Sequence, residues 1–158
     1  MIQVKDGNRL LQFDGRMIGT SSSWRRGSYR WVEFRLYKTD EEGRYILARV
    51  GLSLLYHMRE CDVVARNNLK DAPRSELSQD ARPCDECRPD EFSMPIICPE
   101  KPRYWAQVCD TPQAVIDALQ KYDESGNRYL TFVAQRLLED ASDEDPELES
   151  LYRVETIL

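Results

Sequence analysis

The stretch Leu130-Thr131-Phe132-Val133-Ala134-Gln135-Arg136-Leu137-Leu138-Glu139-Asp140-Ala141 sets Leu130, Val133, Ala134, Leu137, Leu138 and Ala141 at i, i+3, i+4, i+7, i+8 and i+11. That spacing follows one face of an α-helix, and it predicts a helix from about residue 129. A helix with one apolar stripe must bury it against something else.

The first 56 residues supply the partner. Short apolar alternations are separated by the turn signals Asp6-Gly7-Asn8, Asp14-Gly15 and Glu41-Glu42-Gly43, the pattern of an antiparallel meander. Strands are expected near 2–5, 9–13, 16–21, 29–39 and 44–56. The fourth places Val32, Phe34 and Leu36 on one face and Trp31, Glu33, Arg35 and Tyr37 on the other. The fifth places Ile46, Ala48, Val50, Leu52, Leu54 and Tyr56 together. One face is expected to be core, and the other, with Arg35, Tyr37, Tyr45 and Arg49, to be a candidate binding surface.

Towards the C-terminus, Arg103 to Cys109 reads as one more strand. Thr111-Pro112 then supplies an N-cap followed by proline in the first helical turn. Val115, Ile116, Leu119 and Tyr122 are expected as the stripe of that helix, closed by Glu124-Ser125-Gly126-Asn127. Asp145-Pro146 starts a short third helix with Leu148, Leu151 and Tyr152 on one side. Strands first and helices last make an α+β class, an N-terminal meander packed on about three C-terminal helices. A chain of 158 residues is the length of one ordinary domain. The expectation is a single domain over 1–158, with a sheet in 1–60, a Pro/Cys-rich segment in 61–102, and a strand plus helices in 103–158.

The connecting segment carries six of the eight prolines between residues 71 and 102, so neither a helix nor a central strand is expected to run through it. It also carries the knuckle Pro83-Cys84-Asp85-Glu86-Cys87-Arg88-Pro89. Two cysteines separated by two residues can turn both thiolates towards one ion, and His57 with Cys61 can supply the other half of a tetrahedron. Structural zinc on His57, Cys61, Cys84 and Cys87 is therefore expected, in place of metal-free thiols. A second set, Cys84, Cys87, Cys98 and Cys109, shares the same knuckle, but Cys98 and Cys109 sit in contexts suited to small buried hydrophobes. A redox dithiol is disfavoured by Pro89, which discourages the helix such a motif needs. The Pro-Cys-x-x-Cys half of a zinc deaminase motif is present, but Met58-Arg59-Glu60 follows His57 where that motif needs a glutamate two residues on. His57 is the single histidine, which removes Ser-His and Cys-His catalysis. No catalytic constellation is recognised, and a non-enzymatic protein is expected.

Charge is uneven: residues 1–60 carry 11 basic and 7 acidic side chains, a net of +4, whereas 61–158 carry a net of −10, giving −6 for the chain. That balance argues against a general nucleic-acid coat and allows a local phosphate-facing patch. Thr20-Ser21-Ser22-Ser23-Trp24-Arg25-Arg26-Gly27-Ser28 is the best exposed-contact candidate, expected as a mobile hairpin tip. Seven acids in the eleven residues Glu139 to Glu149 are expected as a solvated acidic corner. There is no run of eighteen apolar residues, and Met1 to Leu10 lacks the apolar core of a signal peptide. A cytoplasmic protein without membrane contact is expected.

Phe13-Asp14-Gly15-Arg16-Met17-Ile18, Gly43-Arg44-Tyr45-Ile46 and Glu155-Thr156-Ile157-Leu158 resemble the uncharacterised bacterial family called EXLDI. The resemblance covers scattered pieces of both ends, and the terminal pattern departs from it in having Ile-Leu for Leu-Asp-Ile. It implies a bacterial origin and no particular activity. The functional expectation is a small zinc-stabilised protein-binding module, an accessory or inhibitory protein of a bacterial or phage system, with Trp24, Arg25, Arg26, Trp31, Arg35 and Tyr37 as its partner-binding residues. The alternative is a nucleic-acid-binding regulator using the same basic and aromatic side chains with Arg30.

Overall fold

The alternation in the first 57 residues is realised as five strands: β1 (Ile2–Asp6), β2 (Arg9–Phe13), β3 (Gly15–Ser22), β4 (Arg30–Thr39) and β5 (Tyr45–His57). They are followed by β6 (Arg82–Pro83), β7 (Ile96–Pro99), β8 (Arg103–Cys109), helix α1 (Pro112–Leu119), the short pair β9 (Lys121–Tyr122) and β10 (Arg128–Tyr129), and helices α2 (Phe132–Glu144) and α3 (Pro146–Tyr152). This is an α+β fold of antiparallel sheets and helices. The computed structural model describes residues 1–57, 82–83, 96–99, 101–155 and 157. The chain divides into two compact units, one of Met1–Ser23, Val32–Val50 and Arg103–Leu158, the other of Trp24–Trp31 and Gly51–Pro102. Among the described residues no helix is long and apolar enough to cross a membrane.

In the first unit β3 and β4 pair antiparallel from Gly15↔Thr39 to Ser22↔Glu33, with a register shift between Met17 and Gly19. β4 neighbours β5, and β8 pairs with β5 as well. Successive residues of a strand point to opposite faces, and here both faces are covered. Leu36, Tyr45 and Leu47 join Ile18, Phe34 and the helix residues Val115, Leu119, Leu137, Leu138 and Leu148 in one core. Their strand neighbours Tyr37 and Ile46 join Val4 and Ala106 in a second core, flanked by Ile2, Leu11 and Phe13 of the β1–β2 ribbon. The ribbon is tied to β8 by the Gly7 N–H donating to the Tyr104 carbonyl at 2.8 Å and the Ala106 N–H donating to Asp6 Oδ1 at 3.2 Å.

This arrangement corrects the expected solvent-facing side of the sheet. Tyr37 is buried, in an edge-to-face contact with Phe13 at 5.5 Å. Tyr45 is wholly buried on the helix side. The four residues grouped as one outer face are thus split, because in-strand alternation does not say which faces of neighbouring strands coincide.

Helix α2 also closes the open edge of β3, whose unpaired backbone groups would otherwise invite another strand. Asp140 Oδ2 accepts from the Thr20 N–H at 2.9 Å, the Ser21 hydroxyl donates to the Val133 carbonyl at 2.8 Å, and Arg136 donates to the Ser22 carbonyl. The approach is close enough that a Cβ added at Gly19 would lie 2.9 Å from the Ala141 Cβ.

Thr111 caps α1 and Thr131 caps α2, each side-chain oxygen accepting from the backbone N–H three residues on. α1 ends at Leu119, so Tyr122 is not on its stripe. The Asp123 carboxylate accepts from the N–H groups of Ser125 and Asn127, and the turn residues expected to close a helix close a two-strand hairpin, Tyr122↔Arg128 and Lys121↔Tyr129. In α3 Leu148 is fully buried and Leu151 is exposed.

In the second unit the far half of β5 is paired twice. Leu55 and Tyr56 run parallel to Arg82 and Pro83, and Leu54 to His57 run antiparallel to Pro99 to Ile96. The Leu54 N–H also donates to the Tyr29 carbonyl at 2.7 Å.

Candidate functional site

The loop between β3 and β4 is built by short-range hydrogen bonds. The Arg25 N–H donates to Ser28 Oγ and the Ser28 N–H donates to the Arg25 carbonyl, both at 2.8 Å. Gly27 takes φ +86°, a backbone conformation a residue with a Cβ enters only at a cost. Trp24 is 55% exposed on this turn, with exposed Arg25 and Arg26 following it. The tip is a hydrogen-bonded turn. Trp31 is half-buried and belongs to the same unit, whereas exposed Arg35 and buried Tyr37 belong to the other. Tyr37 is thereby withdrawn from any contact surface.

Of the expected zinc ligands, Cys61, Cys84 and Cys87 lie outside the described residues, and of His57 only the backbone is described. Their described neighbours are informative. Pro83, the residue before Cys84, is paired with Tyr56, the residue before His57. Cys109 is a free thiol 1% exposed in the first unit's core; burial, and after it the neighbouring Asp110 charge, push that thiol up, away from the thiolate a metal needs. Among the described residues no group of three or more His, Cys, Asp or Glu side chains could hold a metal ion.

Where α2 meets α3, the expected solvated acidic corner is only partly solvent-facing. Asp145 is 1% exposed, with Oδ1 2.7 Å from Lys38 Nζ and Oδ2 accepting from the Tyr45 hydroxyl. Glu147 reaches the same ammonium at 3.3 Å, and Lys38 Nζ lies 5.2 Å from the Tyr45 ring centre. Burial opposes the ionisation of Asp145, but the hydrogen bonds from Lys38 and Tyr45 outweigh it and hold the carboxyl below its ordinary range. Burial likewise opposes the charge on Lys38, and the bond to Asp145 prevails, raising it. Burial, reinforced by the bond to Asp145, pushes the Tyr45 phenol up. All three groups are engaged with one another, which makes a clasp between sheet and helices.

An open cleft of about 280 Å³ is lined by Phe13, Asp14, Thr39, Glu41, Glu42 and Arg44. Its one cation is neutralised at the rim, Arg44 Nε lying 2.8 Å from Asp110 Oδ1 and Nη1 3.6 Å from Glu42.

The surface absent from the sequence expectations is the β9–β10 hairpin with the start of α2. Tyr122, Tyr129 and Phe132 are all exposed there, Tyr122 at 62% and Phe132 at 64%. Arg128 lies 5.9 Å from the Tyr122 ring centre and Arg136 5.2 Å from that of Phe132. Tyr129 stands across the ladder from Lys121. Tyr122 and Phe132 are thus each accompanied by an arginine, and the register sets Tyr122 with Arg128 on one face of the ribbon and Tyr129 with Lys121 on the other. The available signal was Asp123-Glu124-Ser125-Gly126-Asn127, a turn that can close a hairpin as well as end a helix. No family model, curated protein or solved structure matches the chain.

Proposed function

We propose that the chain is a small non-enzymatic protein-binding module stabilised by structural zinc, an accessory or inhibitory protein of a bacterial or phage system. The observation that carries this is Trp24, a large ring exposed beside Arg25 and Arg26 on a turn held by two reciprocal hydrogen bonds. Interface energy concentrates in such aromatic and arginine anchors, and an anchor fixed before binding loses less entropy on contact. The zinc set His57, Cys61, Cys84 and Cys87 is supported by the pairing of Pro83 with Tyr56, which brings the sequence neighbours of two of its ligands onto one ladder. The use of Cys109 as a core side chain further favours that set over its rival.

The expected outcome of metal analysis is about one equivalent of zinc in protein prepared without chelator, with a lower melting temperature once it is removed. Substoichiometric metal and an unchanged melt reject the zinc. For the module itself, Trp24→Ala combined with Arg26→Ala should release a partner captured by the wild-type protein and leave the zinc content unchanged. Duplex DNA of mixed sequence should bind more weakly than about 10 μM at physiological salt, since phosphate contacts by a few arginines are easily screened. Nanomolar, salt-sensitive binding to DNA or RNA would instead establish the regulator.

A further inference from the structure

From Gly15 to Val32 the chain carries four basic residues, all arginine, and no carboxylate, in a protein of net charge −6. Three of them, Arg25, Arg26 and Arg30, are exposed in the second unit, Arg25 and Arg26 within the turn that presents Trp24. Among the described residues none of these three guanidinium groups forms an ion pair, whereas Arg9, Arg44 and Arg153 are each held by a carboxylate and Arg49, Arg128 and Arg136 each lie over a ring. The backbone around them is fixed. Arg25 and Ser28 exchange hydrogen bonds, and the Tyr29 carbonyl accepts from the Leu54 N–H at 2.7 Å. Between Trp24 and Trp31 the one exposed ring is that of Trp24.

We propose, on the reading of this turn as a protein-binding surface, that its partner is an acidic protein segment that sets an apolar side chain among aspartates and glutamates. A guanidinium group with no carboxylate in its own chain can take one from a partner, in paired N–H···O bonds stronger than those between neutral groups. The indole beside it gains most when an apolar side chain covers its face. At physiological salt a charge is felt over about 8 Å, so the acid-free turn, and not the chain's total of −6, decides what docks there. A nucleic acid fits the turn less well. Single strands are held by successive rings that stack on successive bases along a positive groove, and this segment exposes one ring on a short turn. One ring with adjoining arginines is instead the pattern of a protein-interface anchor.

Fluorescence anisotropy on the full chain tests this with four labelled probes: a short peptide repeating Asp-Leu-Glu, its uncharged Asn-Leu-Gln counterpart, its Asp-Ser-Glu counterpart, and an oligothymidylate. Wild-type protein should bind the Asp-Leu-Glu peptide and lose about tenfold or more in affinity with either counterpart. Trp24→Ala, and Arg25→Ala combined with Arg26→Ala, each checked for fold by circular dichroism, should weaken binding of that peptide by about tenfold. The arginine loss should close in about 1 M salt, where the charges are screened, and the Trp24→Ala loss should persist. No binding of the Asp-Leu-Glu peptide, or equal affinity for the Asn-Leu-Gln peptide, would overturn the acidic partner while leaving the turn's part in partner capture standing. Full-strength binding by either variant would overturn it by removing the turn from the contact. Tighter binding of the oligothymidylate than of the peptide, lost in the arginine variant, would overturn both readings by assigning the turn to nucleic acid.

Discussion

The α2–α3 corner and the β9–β10 hairpin exchange the roles their residue types suggest. Asp145, one of seven acids in eleven residues, is among the most buried side chains of the first unit, while Tyr122, at a helical spacing from Leu119, is almost two-thirds exposed. The difference lies in partners, not in polarity. Asp145 has an ammonium and a phenol waiting for it on β4 and β5, so its charge is compensated where it is buried. Tyr122 follows a helix that stops at Leu119, and the Asp123 turn carries it out onto an exposed ribbon. Buried clasp and exposed ring should therefore respond very unequally to mutation.

The largest effect is expected where both regions depend on α2. Leu137 has no exposed surface and sits in the helix-side core. Leu137→Asp buries an unpaired carboxylate at a cost of several kcal/mol, roughly the whole stability of a small domain, so the variant should be unfolded by circular dichroism. A native-like melt would mean that α2 does not pack through this residue.

Next in size is the clasp itself. Asp145→Ala leaves the half-buried Lys38 and the wholly buried Tyr45 without their main acceptor and should cost about 3 kcal/mol. Asp143→Ala, which breaks an exposed pair with Arg153 at 2.7 Å, should cost under about 0.5 kcal/mol. Urea melts of the two variants decide whether burial separates these acids. The clasp also fixes a pH dependence. Because the folded-state carboxyl of Asp145 is held low, its contribution is present above the unfolded value of about 3.9 and is lost as pH falls through the folded value. The stability gap between wild type and Asp145→Asn should therefore be steady near neutrality and shrink in acid. A gap that grows in acid would show that the carboxyl is not held low.

A smaller effect is expected at the seam between α2 and β3. Gly19→Ala places a methyl 2.9 Å from the Ala141 Cβ and 3.0 Å from its backbone nitrogen, atoms of a helix already bonded to the strand. The seam must shift by a few tenths of an ångström, at about 1–2 kcal/mol. Unchanged stability would show that the helix is free to ride away from the edge.

These expectations also mark what the sequence carried. Strand limits were legible because alternation and turn chemistry are local, and the five N-terminal strands fall within a residue or so of their expected bounds. The cap Thr111 and the stripe from Val133 to Ala141 were legible for the same reason, whereas the cap Thr131 was not read and α2 starts at Phe132, not near 129. The phase between strands was not. Thr39 donates to the Arg44 carbonyl at 2.8 Å across the turn, and that pairing, not alternation, decides that Leu36 and Leu47 share a core while Tyr37 faces the ribbon. Asp145 was illegible because its partner Lys38 lies 107 residues away. The β9–β10 hairpin was illegible because two-residue strands are too short to show a period. Of the expected contact residues, Trp24, Arg25 and Arg26 are exposed as their polar loop implied, and Tyr37 is lost to the same phase error.

The smallest effect is expected on the exposed side of the comparison. Tyr122 and Arg128 face each other across a two-strand ribbon, both exposed, with the guanidinium 5.9 Å from the ring centre. Exposed cation–π pairs contribute about 0.5–1 kcal/mol at most, and the hairpin turn is closed by Asp123 and backbone groups, not by either side chain. Tyr122→Ala and Arg128→Ala should therefore each lower stability by under about 1 kcal/mol, and the double variant by less than the sum of the two, because the second change has no partner left to remove. Arg25→Ala and Arg26→Ala, whose turn is likewise held by backbone and Ser28, should do no more. A loss of several kcal/mol at Tyr122 would mean that its ring is covered by part of this same chain, and the hairpin would cease to be a surface.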